Sequence, residues 1–258
     1  MEVVDRFAEL ILRPEPQVDL AESALVIASG ADPDLDRAAA LASLDEFAGG
    51  VHDLVSLCRR LFVELGFRGE PREYYLPVNS LLHRVVERRR GIPITLSVVT
   101  LEVARRAGLP LEAIGMPAHF LVRDPGSGLY VDSFGATVLD DAGCEALYRD
   151  VSGAGPEVRF GAELLPVVGP REILGRILLN LARIYRMNAD PVNLEWVMRL
   201  RMVIPGVPAS EALHLARAIA SQGRLREAAA ELEARAEDDA ELAGTFLPAA
   251  RTLRAQLN

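Results

Sequence analysis

The chain has 258 residues, of which half are hydrophobic and a quarter are charged, and its formal net charge is −9 at pH 7. This length suits one large domain or two ordinary ones. The acidic balance argues against a nucleic-acid-binding protein, whose surface would carry a basic patch. No apolar run is long enough to cross a bilayer, and the acidic, amphipathic opening residues do not resemble a signal peptide. We therefore expect a cytoplasmic protein that binds neither nucleic acid nor membranes.

The first 66 residues or so have a helical pattern. Asp19 is placed to cap a helix that Gly30 ends, and a second helix ends at paired glycines, residues 49–50. A third helix carries Cys58 on an apolar stripe formed by Val51, Leu54, Val55, Leu61, Phe62 and Leu65. Because a free cysteine on such a stripe behaves as a small hydrophobe, we expect Cys58 in the core. Two distant cysteines do not form a disulfide framework.

Residues 70 to about 160 combine helices with strands, beginning with the stretch SLLHRVVERRRG. Its periodicity predicts a helix whose buried face carries Leu81, Leu82, Val85 and Val86. The arginines at positions 88–90 then fall in the last turn, where cations complement the helix dipole and Gly91 completes the C-cap. The alternative interpretation of this basic cluster is a phosphate-binding site.

The next helix, in PITLSVVTLEVARR, is apolar nearly all round, which predicts a buried helix. LEAIGMP indicates a short strand, and HFLVRD-PGSG-LYVDSF alternates around a turn, which is typical of a β-hairpin. Cys144 follows on a helix face that it shares with Leu147, Tyr148 and Val151, and we expect it in the core. The fold class of this region is therefore α+β, with a central helix packed on an antiparallel sheet.

The hairpin turn determines which side chains share a face of the sheet. With residues 125–128 as a turn of even length, Leu121 faces Asp132 and His119 faces Phe134. His119 and Asp132 then lie diagonally on one face with Cβ atoms about 7–8 Å apart, within reach of a hydrogen bond. A loop of odd length would place them on opposite faces.

Residues 161–258 are helical again and contain a repeat. The pattern LNLARIY at Leu179 recurs as LHLARAI at Leu213, after the 34 residues of a tetratricopeptide unit. At this spacing three further pairs of positions match, namely Ala182 with Ala216, Tyr185 with Ile219, and Met198 with Leu232. The alternative is an ordinary helical bundle. We expect two domains, residues 1–160 and residues 161–258, with a final helix closing the repeat stack.

The stretch RRRGIPITLSVVTLEVARRAGLPLEAIGMPAHFLVRD, followed by LYVDSF, resembles the transglutaminase-like (papain-related) superfamily in its SirB-type bacterial branch. The resemblance implies an α+β domain with N-terminal helices and a tetratricopeptide-like tail. Active members carry a Gly-x-Cys motif at the start of the helix, then a His on one strand and an Asp on the next. Here Gly91 matches the glycine, Pro93 the cysteine, His119 the histidine and Asp132 the aspartate.

This sequence differs from the motif of active members at the position of the nucleophile, which is Pro93. A helix N-terminus stabilises a thiolate, whereas Pro93 fits the same backbone position and supplies no reactive group. Ser97 is four residues on and on the same face, but it lies about 5–6 Å deeper, which makes it a weak substitute. Thr95 points about 200° away from Pro93. His119 and Asp132 are therefore expected to be a vestigial dyad.

These residues leave three functions open. The first is a non-catalytic, degenerate transglutaminase-like protein that binds a protein or peptide through its repeat tail or its emptied cleft and acts as a regulatory module. The second is a hydrolase or acyltransferase of this fold with a substituted nucleophile, and the third is a structural scaffold. His52, His83 and His214 have no metal-ligand partner one turn away, so we expect surface or structural roles for them, no metal and no cofactor.

Overall fold

A computed structural model describes residues 2–155, 157–238 and 240–257 of the chain. The helices, in chain order, are α1 (Glu2–Ile11), α2 (Leu20–Ser29), α3 (Arg37–Phe47), α4 (Leu54–Cys58), α5 (Leu82–Arg88), α6 (Pro93–Arg106), α7 (Asp141–Ser152), α8 (Pro170–Met187), α9 (Pro191–Arg201), α10 (Ala212–Ala220), α11 (Leu225–Asp238) and α12 (Ala240–Ala255). The strands are β1 (Arg68–Gly69), β2 (Arg90–Gly91), β3 (Glu112–Ile114), β4 (Leu121–Arg123), β5 (Tyr130–Asp132) and β6 (Thr137–Leu139).

The chain divides into two compact units. One comprises residues 19–177, and the other comprises the residues up to 18 together with those from 178 onwards. The helix α8 contributes residues to both. The predicted domain boundary between residues 160 and 161 stays a prediction.

Aspartate caps begin the first two helices of the first unit. The side chain of Asp19 accepts a hydrogen bond from the Glu22 amide at the start of α2, and Asp36 accepts one from the Ala39 amide at the start of α3. Such caps satisfy amides that the first helical turn leaves without partners. Gly30 is the C-cap of α2, so the predicted start and end of this helix are confirmed.

The predicted buried stripe around Cys58 is wrong in part. The helix α4 is α-helical only from Leu54 to Cys58, and residues Arg59–Glu64 continue it as a π-helix. A π-helical turn holds more residues than an α-helical one, so positions spaced for an α-helix do not stay aligned. Leu57 and Leu61 are fully buried, whereas Val55 is 77% exposed and Cys58 is half-buried.

The helix α5 ends earlier than its arginine run suggests. Its C-cap is Arg89, which adopts the left-handed conformation at φ 57°, and not Gly91. The Arg89 guanidinium lies over the rings of Phe47 and Phe67, at 4.4 and 5.1 Å from their centroids. This aromatic contact accompanies a conformation that a non-glycine residue seldom adopts. The next two residues leave the helix and form β2, which pairs in parallel with β1.

The helix α6 is buried over most of its length, as its all-round apolar pattern predicts. It packs against β4 in the antiparallel sheet, whose strand order is β3-β4-β5-β6. In the hairpin, Val122 pairs with Val131 and Arg123 with Tyr130, which confirms the predicted register. The sequence analysis missed β6, a three-residue edge strand.

The sheet and α7 share a small core. Cys144 and Tyr148 of α7 are buried there with Ile114, Met116 and Leu121. Leu147 and Val151 pack against this cluster from partly buried positions. The prediction that Cys144 lies in the core is therefore confirmed.

The second unit is formed by α1, the end of α8, and α9 to α12. Within it α9 packs on α10, α10 on α11, and α11 on α12. The positions that match at the 34-residue spacing are buried in both copies: Ala182 and Ala216, Tyr185 and Ile219, Met198 and Leu232. The tetratricopeptide assignment itself stays a prediction. Among the described residues, no helix is both long and apolar enough to span a lipid bilayer.

Candidate functional site

The structure brings His119 and Asp132 together. The His119 Nε2 atom lies 2.8 Å from Asp132 Oδ1, and the two side chains are only 5% and 6% exposed. A carboxylate oxygen accepts hydrogen bonds, so the imidazole donates from Nε2 in this contact. Within the described part of the chain, no hydrogen bond engages Nδ1. This nitrogen is therefore the one available to a ligand or a reacting group.

Local backbone geometry holds Asp132 in place. The Phe134 amide donates to Asp132 Oδ1 at 3.0 Å. A Cβ atom added to Gly135 would lie 2.5 Å from Asp132 Oδ2, so the carboxylate occupies space that only a glycine leaves free. Ala136, the next residue, has a positive φ of 54°. The turn after β5 is thus folded tightly around the Asp132 carboxylate.

The residue that precedes His119 has an uncommon backbone conformation. Ala118 adopts the left-handed conformation at φ 63°, which is uncommon for a residue with a side chain. The His119 amide donates to the carbonyl of Met116 at 3.2 Å, closing the turn before β4. The edge of the Phe134 ring meets the imidazole at 90°, with centroids 6.1 Å apart. Backbone strain of this kind clusters at functional sites.

Pro93 is the first residue of α6 and is buried. The Ile92 amide donates to the Thr95 hydroxyl at 3.2 Å, and that hydroxyl donates to the Asn79 carbonyl at 2.7 Å. A Cβ atom on Gly91 would lie 2.9 Å from the Thr95 hydroxyl. The start of the helix is therefore closely packed, with Pro93 at the position where the missing N–H costs no hydrogen bond.

Ser97 lies one turn deeper in α6 and is not part of the His119–Asp132 pair. Its residue is fully buried, and its hydroxyl has no hydrogen-bond partner among the described residues. A serine activated as a nucleophile would donate to its base at about 2.6–3.2 Å. A different hydroxyl pair, Thr100 and Ser133, joins α6 to the residue after Asp132 at 2.8 Å. It fixes the end of β5 against the central helix.

The comparisons with known proteins identify the family of the region that contains this site. A family model described as the transglutaminase-like superfamily matches residues 32–179, more than half of the chain. The chain belongs to the transglutaminase-like superfamily. Its matched region includes α6 and the hairpin that carries His119 and Asp132, and its α+β fold class is that of a transglutaminase-like domain.

Several relatives share this region. The chain is 39% identical over 181 residues to a UPF0162 protein of Xylella fastidiosa, covering 64% of each chain, and 32% identical over 177 residues to a UPF0162 protein of Pseudomonas aeruginosa, covering 69% of this chain and 64% of that one. It is 36% identical over 132 residues to F-box only protein 21 of Homo sapiens, covering 47% of this chain and 20% of that protein. The chain thus spans less than two thirds of the length of these relatives. No solved structure matches it.

The other histidines of this transglutaminase-like chain form no described hydrogen bond with His119 or Asp132. His52 is exposed, and its Nδ1 atom lies 3.2 Å from the Gly50 carbonyl. His83 is 2% exposed with its Nε2 atom 3.2 Å from Asp32 Oδ2, and His214 is half-buried. Within the described residues, no group of three or more His, Cys, Asp or Glu side chains is arranged to hold a metal ion.

Sequence reasoning missed the residues that support the site. Asn79 is fully buried, donates from Nδ2 to the Glu73 carbonyl at 2.6 Å, and accepts from Arg88 on Oδ1 at 2.9 Å. It joins the loop before α5 to both α5 and α6. A sequence signal existed for Gly135, because a glycine directly after an expected site strand indicates close packing. Asn79 gives no such signal, because its partners are distant backbone groups.

Proposed function

We propose that this protein is a degenerate, non-catalytic transglutaminase-like protein that serves as a protein- or peptide-binding and regulatory module. The observation that carries the proposal is Pro93 at the first position of α6. His119, which would serve as the base, and Asp132, which would orient it, are in hydrogen-bond contact. The position of the nucleophile is occupied by a proline ring, which has no reactive atom. Function is argued from this site, because the fold alone does not imply chemistry.

Neither cysteine of the chain is suited to replace the missing thiolate. Burial raises the pKa of Cys58 to about 11 and that of Cys144 to about 12. Both thiols are therefore protonated at neutral pH, and a protonated thiol is a poor nucleophile. Cys144 also lies in the core between α7 and the sheet.

The competing proposal is a hydrolase or acyltransferase that uses a substituted nucleophile. The buried hydroxyl of Ser97 favours it, since this group has no hydrogen-bond partner among the described residues and a substrate complex would supply one. Its weakness is that Ser97 is completely buried and makes no hydrogen bond to the base. We rank it second for this reason.

The deciding experiment restores a thiol with Pro93→Cys. If the cleft is intact apart from its nucleophile, iodoacetamide at pH 7 labels this cysteine faster than one introduced at an exposed helical position by Ala42→Cys. Adding His119→Ala should slow the labelling of the cysteine at position 93 and leave that at position 42 unchanged, because the imidazolium stabilises the thiolate.

Two outcomes count against the proposal. If the cysteine at position 93 is labelled no faster than the one at position 42, with or without His119, then His119 does not act on a thiol at the start of α6. Amidase or acyl-transfer activity of the unmutated protein that Ser97→Ala abolishes favours the competing proposal. The same assays on Thr252→Ala, which removes an exposed hydroxyl, serve as a control.

We further propose that the chain belongs to the SirB-type branch, acts in the cytoplasm, and binds its partner through residues 161–258 as a tetratricopeptide-like domain or through the cleft. The matching burial of Ala182 and Ala216, and of Met198 and Leu232, supports the repeat. A pull-down with the full chain and with a chain lacking the tail tests the route of binding. Capture that survives removal of the tail assigns the partner to the cleft.

A further inference from the structure

Three arginines meet at the short parallel ladder beside the start of α6. Arg68 and Arg90 occupy partnered positions of β1 and β2, and Arg88 precedes Arg90 by two residues. Arg68 is exposed, and the other two are half-buried. Among the described residues, none of the three lies within ion-pair distance of a carboxylate. This is unexpected in a chain of net charge −9.

Two of these side chains are held in position by neutral groups. Arg88 donates from Nη1 to Asn79 Oδ1 at 2.9 Å. Arg90 donates from Nη1 to the carbonyls of Gly66 and Arg89, at 3.2 and 3.0 Å. Each bond uses one end of the guanidinium fork. The other guanidinium N–H groups of Arg88 and Arg90 make no described hydrogen bond and can donate to a ligand. Because both side chains are already held in position, binding costs little further side-chain entropy.

The nearest acids are engaged elsewhere. Glu70 Oε1 accepts hydrogen bonds from the amides of Arg72 and Glu73, and Glu87 forms an ion pair with Arg84 at 2.9 Å. Burial, and then the positive charges of Arg68 and Arg88, lower the pKa of Arg90, while Glu70 acts in the opposite sense. The cluster therefore holds like charges close together without an anion of its own.

We propose that Arg68, Arg88 and Arg90 form a binding site for a phosphate group. A phosphate monoester carries close to two charges and three terminal oxygens, so it can accept from three guanidinium groups together. A single carboxylate offers two oxygens and one charge. The proposal is independent of the proposed function, because it concerns the β1–β2 ladder and not the His119–Asp132 pair.

The test is a titration of the full chain with inorganic phosphate at constant ionic strength, with sodium chloride as the balancing salt. Saturable binding is followed by ³¹P NMR line broadening and by the shift in Tm. Arg68→Gln should weaken phosphate binding at least fivefold and lower the Tm without phosphate by no measurable amount, since this exposed side chain makes no hydrogen bond or ion pair among the described residues. Arg226→Gln removes the same charge from an exposed position of α11 and should leave binding unchanged.

A second titration distinguishes the sources of the phosphate. Binding of a phosphoserine peptide at least tenfold tighter than inorganic phosphate, with no binding of the unphosphorylated peptide, supports a phosphorylated protein segment. Equal affinities support a small phosphate compound. Phosphate binding that is absent, or that Arg68→Gln and Arg88→Gln both leave unchanged, overturns the proposal.

Discussion

At the scale of single residues, the His119–Asp132 pair depends on neighbours with small side chains or none. Ala118 adopts a left-handed conformation, which costs a residue with a Cβ atom about 1–2 kcal/mol, and Gly135 leaves room for the Asp132 carboxylate. With these residues at the two turns, the buried side chains of His119 and Asp132 form a hydrogen bond of 2.8 Å. The pair is therefore maintained by the backbone of both turns as well as by its own attraction.

Gly135→Ala tests this dependence. The new Cβ atom would lie 2.5 Å from Asp132 Oδ2, so the carboxylate must move, and we expect a loss of about 1–3 kcal/mol in the free energy of unfolding. The measurement is urea denaturation. Gly126→Ala in the hairpin turn is the matched control, because its Cβ would meet only Asp124 Oδ1, at a distance of 3.3 Å that a small shift accommodates. Equal stabilities for both variants would contradict the packing argument.

His83 makes the stability depend on pH. Burial lowers the pKa of His83, and the positive charge of Arg84 adds to this, while Asp32 and Glu87 act against it. The unfolded chain then binds a proton at a higher pH than the folded chain does. This contribution to stability is full above about pH 6.5, the ordinary value for histidine, and is lost as the pH falls through the lower folded pKa.

We therefore expect His83→Gln to flatten the decline in the free energy of unfolding between pH 7.5 and pH 5. The size of the effect is about 1.4 kcal/mol for each unit by which the pKa is lowered. Denaturant titrations across this pH range measure it. His52→Gln, at an exposed position, should leave the slope unchanged, and an unchanged slope for His83→Gln would show that another group titrates.

Only part of the site could be predicted from single residues in the sequence. The even length of the hairpin turn, and with it the register of β4 and β5, can be predicted from sequence, and this register is compatible with the contact between His119 and Asp132. Ala118 and Asn79 could not be identified in this way. The conformation of Ala118 and the partners of Asn79 follow from the packing of α5, α6 and the loop before them, and no local pattern encodes that packing.

At the scale of elements, the loop of residues 70–79 is attached to the helices through one buried amide. The Asn79 side chain donates to the Glu73 carbonyl and accepts from Arg88. The backbone carbonyl of Asn79 accepts from the Thr95 hydroxyl. Removing the side chain takes its described acceptor from the Arg88 guanidinium, while the Glu73 carbonyl keeps only the Leu76 amide as a donor among the described residues. Loop, α5 and α6 therefore depend on the same residue.

Asn79→Ala should lower the free energy of unfolding by about 1–3 kcal/mol, which is the cost of leaving buried polar groups unpaired. It should also increase hydrogen exchange of the amides in residues 70–79. Asn188→Ala, at an exposed position after α8, is the control and should change neither measurement. Protection of the loop that equals that of the unmutated chain would show that other contacts fix it.

Long, strongly patterned elements are the ones that sequence predicts well in this chain. The bounds of α2 and the burial of α6 follow from caps and apolar periodicity. The π-helical turn after Cys58, the left-handed Arg89 and the β1–β2 ladder do not. Each arises where tertiary contacts override the local pattern, as the Phe47 and Phe67 rings around Arg89 illustrate.

At the scale of the whole molecule, the first helix belongs with the last part of the chain. The residues up to 18 form one compact unit with those from 178 onwards, and α1 packs on α9. The apolar face of α1 carries Phe7, Leu10 and Ile11, all of them fully buried. Exposing each of these side chains costs about 1.5–3 kcal/mol.

A fragment of residues 19–177 should therefore be more soluble than a fragment of residues 1–177, although the 1–177 fragment contains more of the protein. Without α9, the longer chain lacks the helix on which α1 packs, and we expect the apolar face of α1 to make it aggregate. Size-exclusion chromatography and the aggregation temperature compare the two. If the longer chain were equally monodisperse and more stable, α1 would have a second partner within residues 19–177. A chain of residues 1–160 tests the predicted domain boundary in the same assays.

The pairing of α1 with α9 also sets a condition on synthesis. About 190 residues separate the two helices, and at about 5–20 residues per second a ribosome needs roughly 10–40 s to produce the second after the first. Throughout that interval Phe7, Leu10 and Ile11 have left the ribosome without the surface that buries them. Transiently exposed apolar surface promotes aggregation, so the nascent chain is most prone to aggregate before α9 emerges.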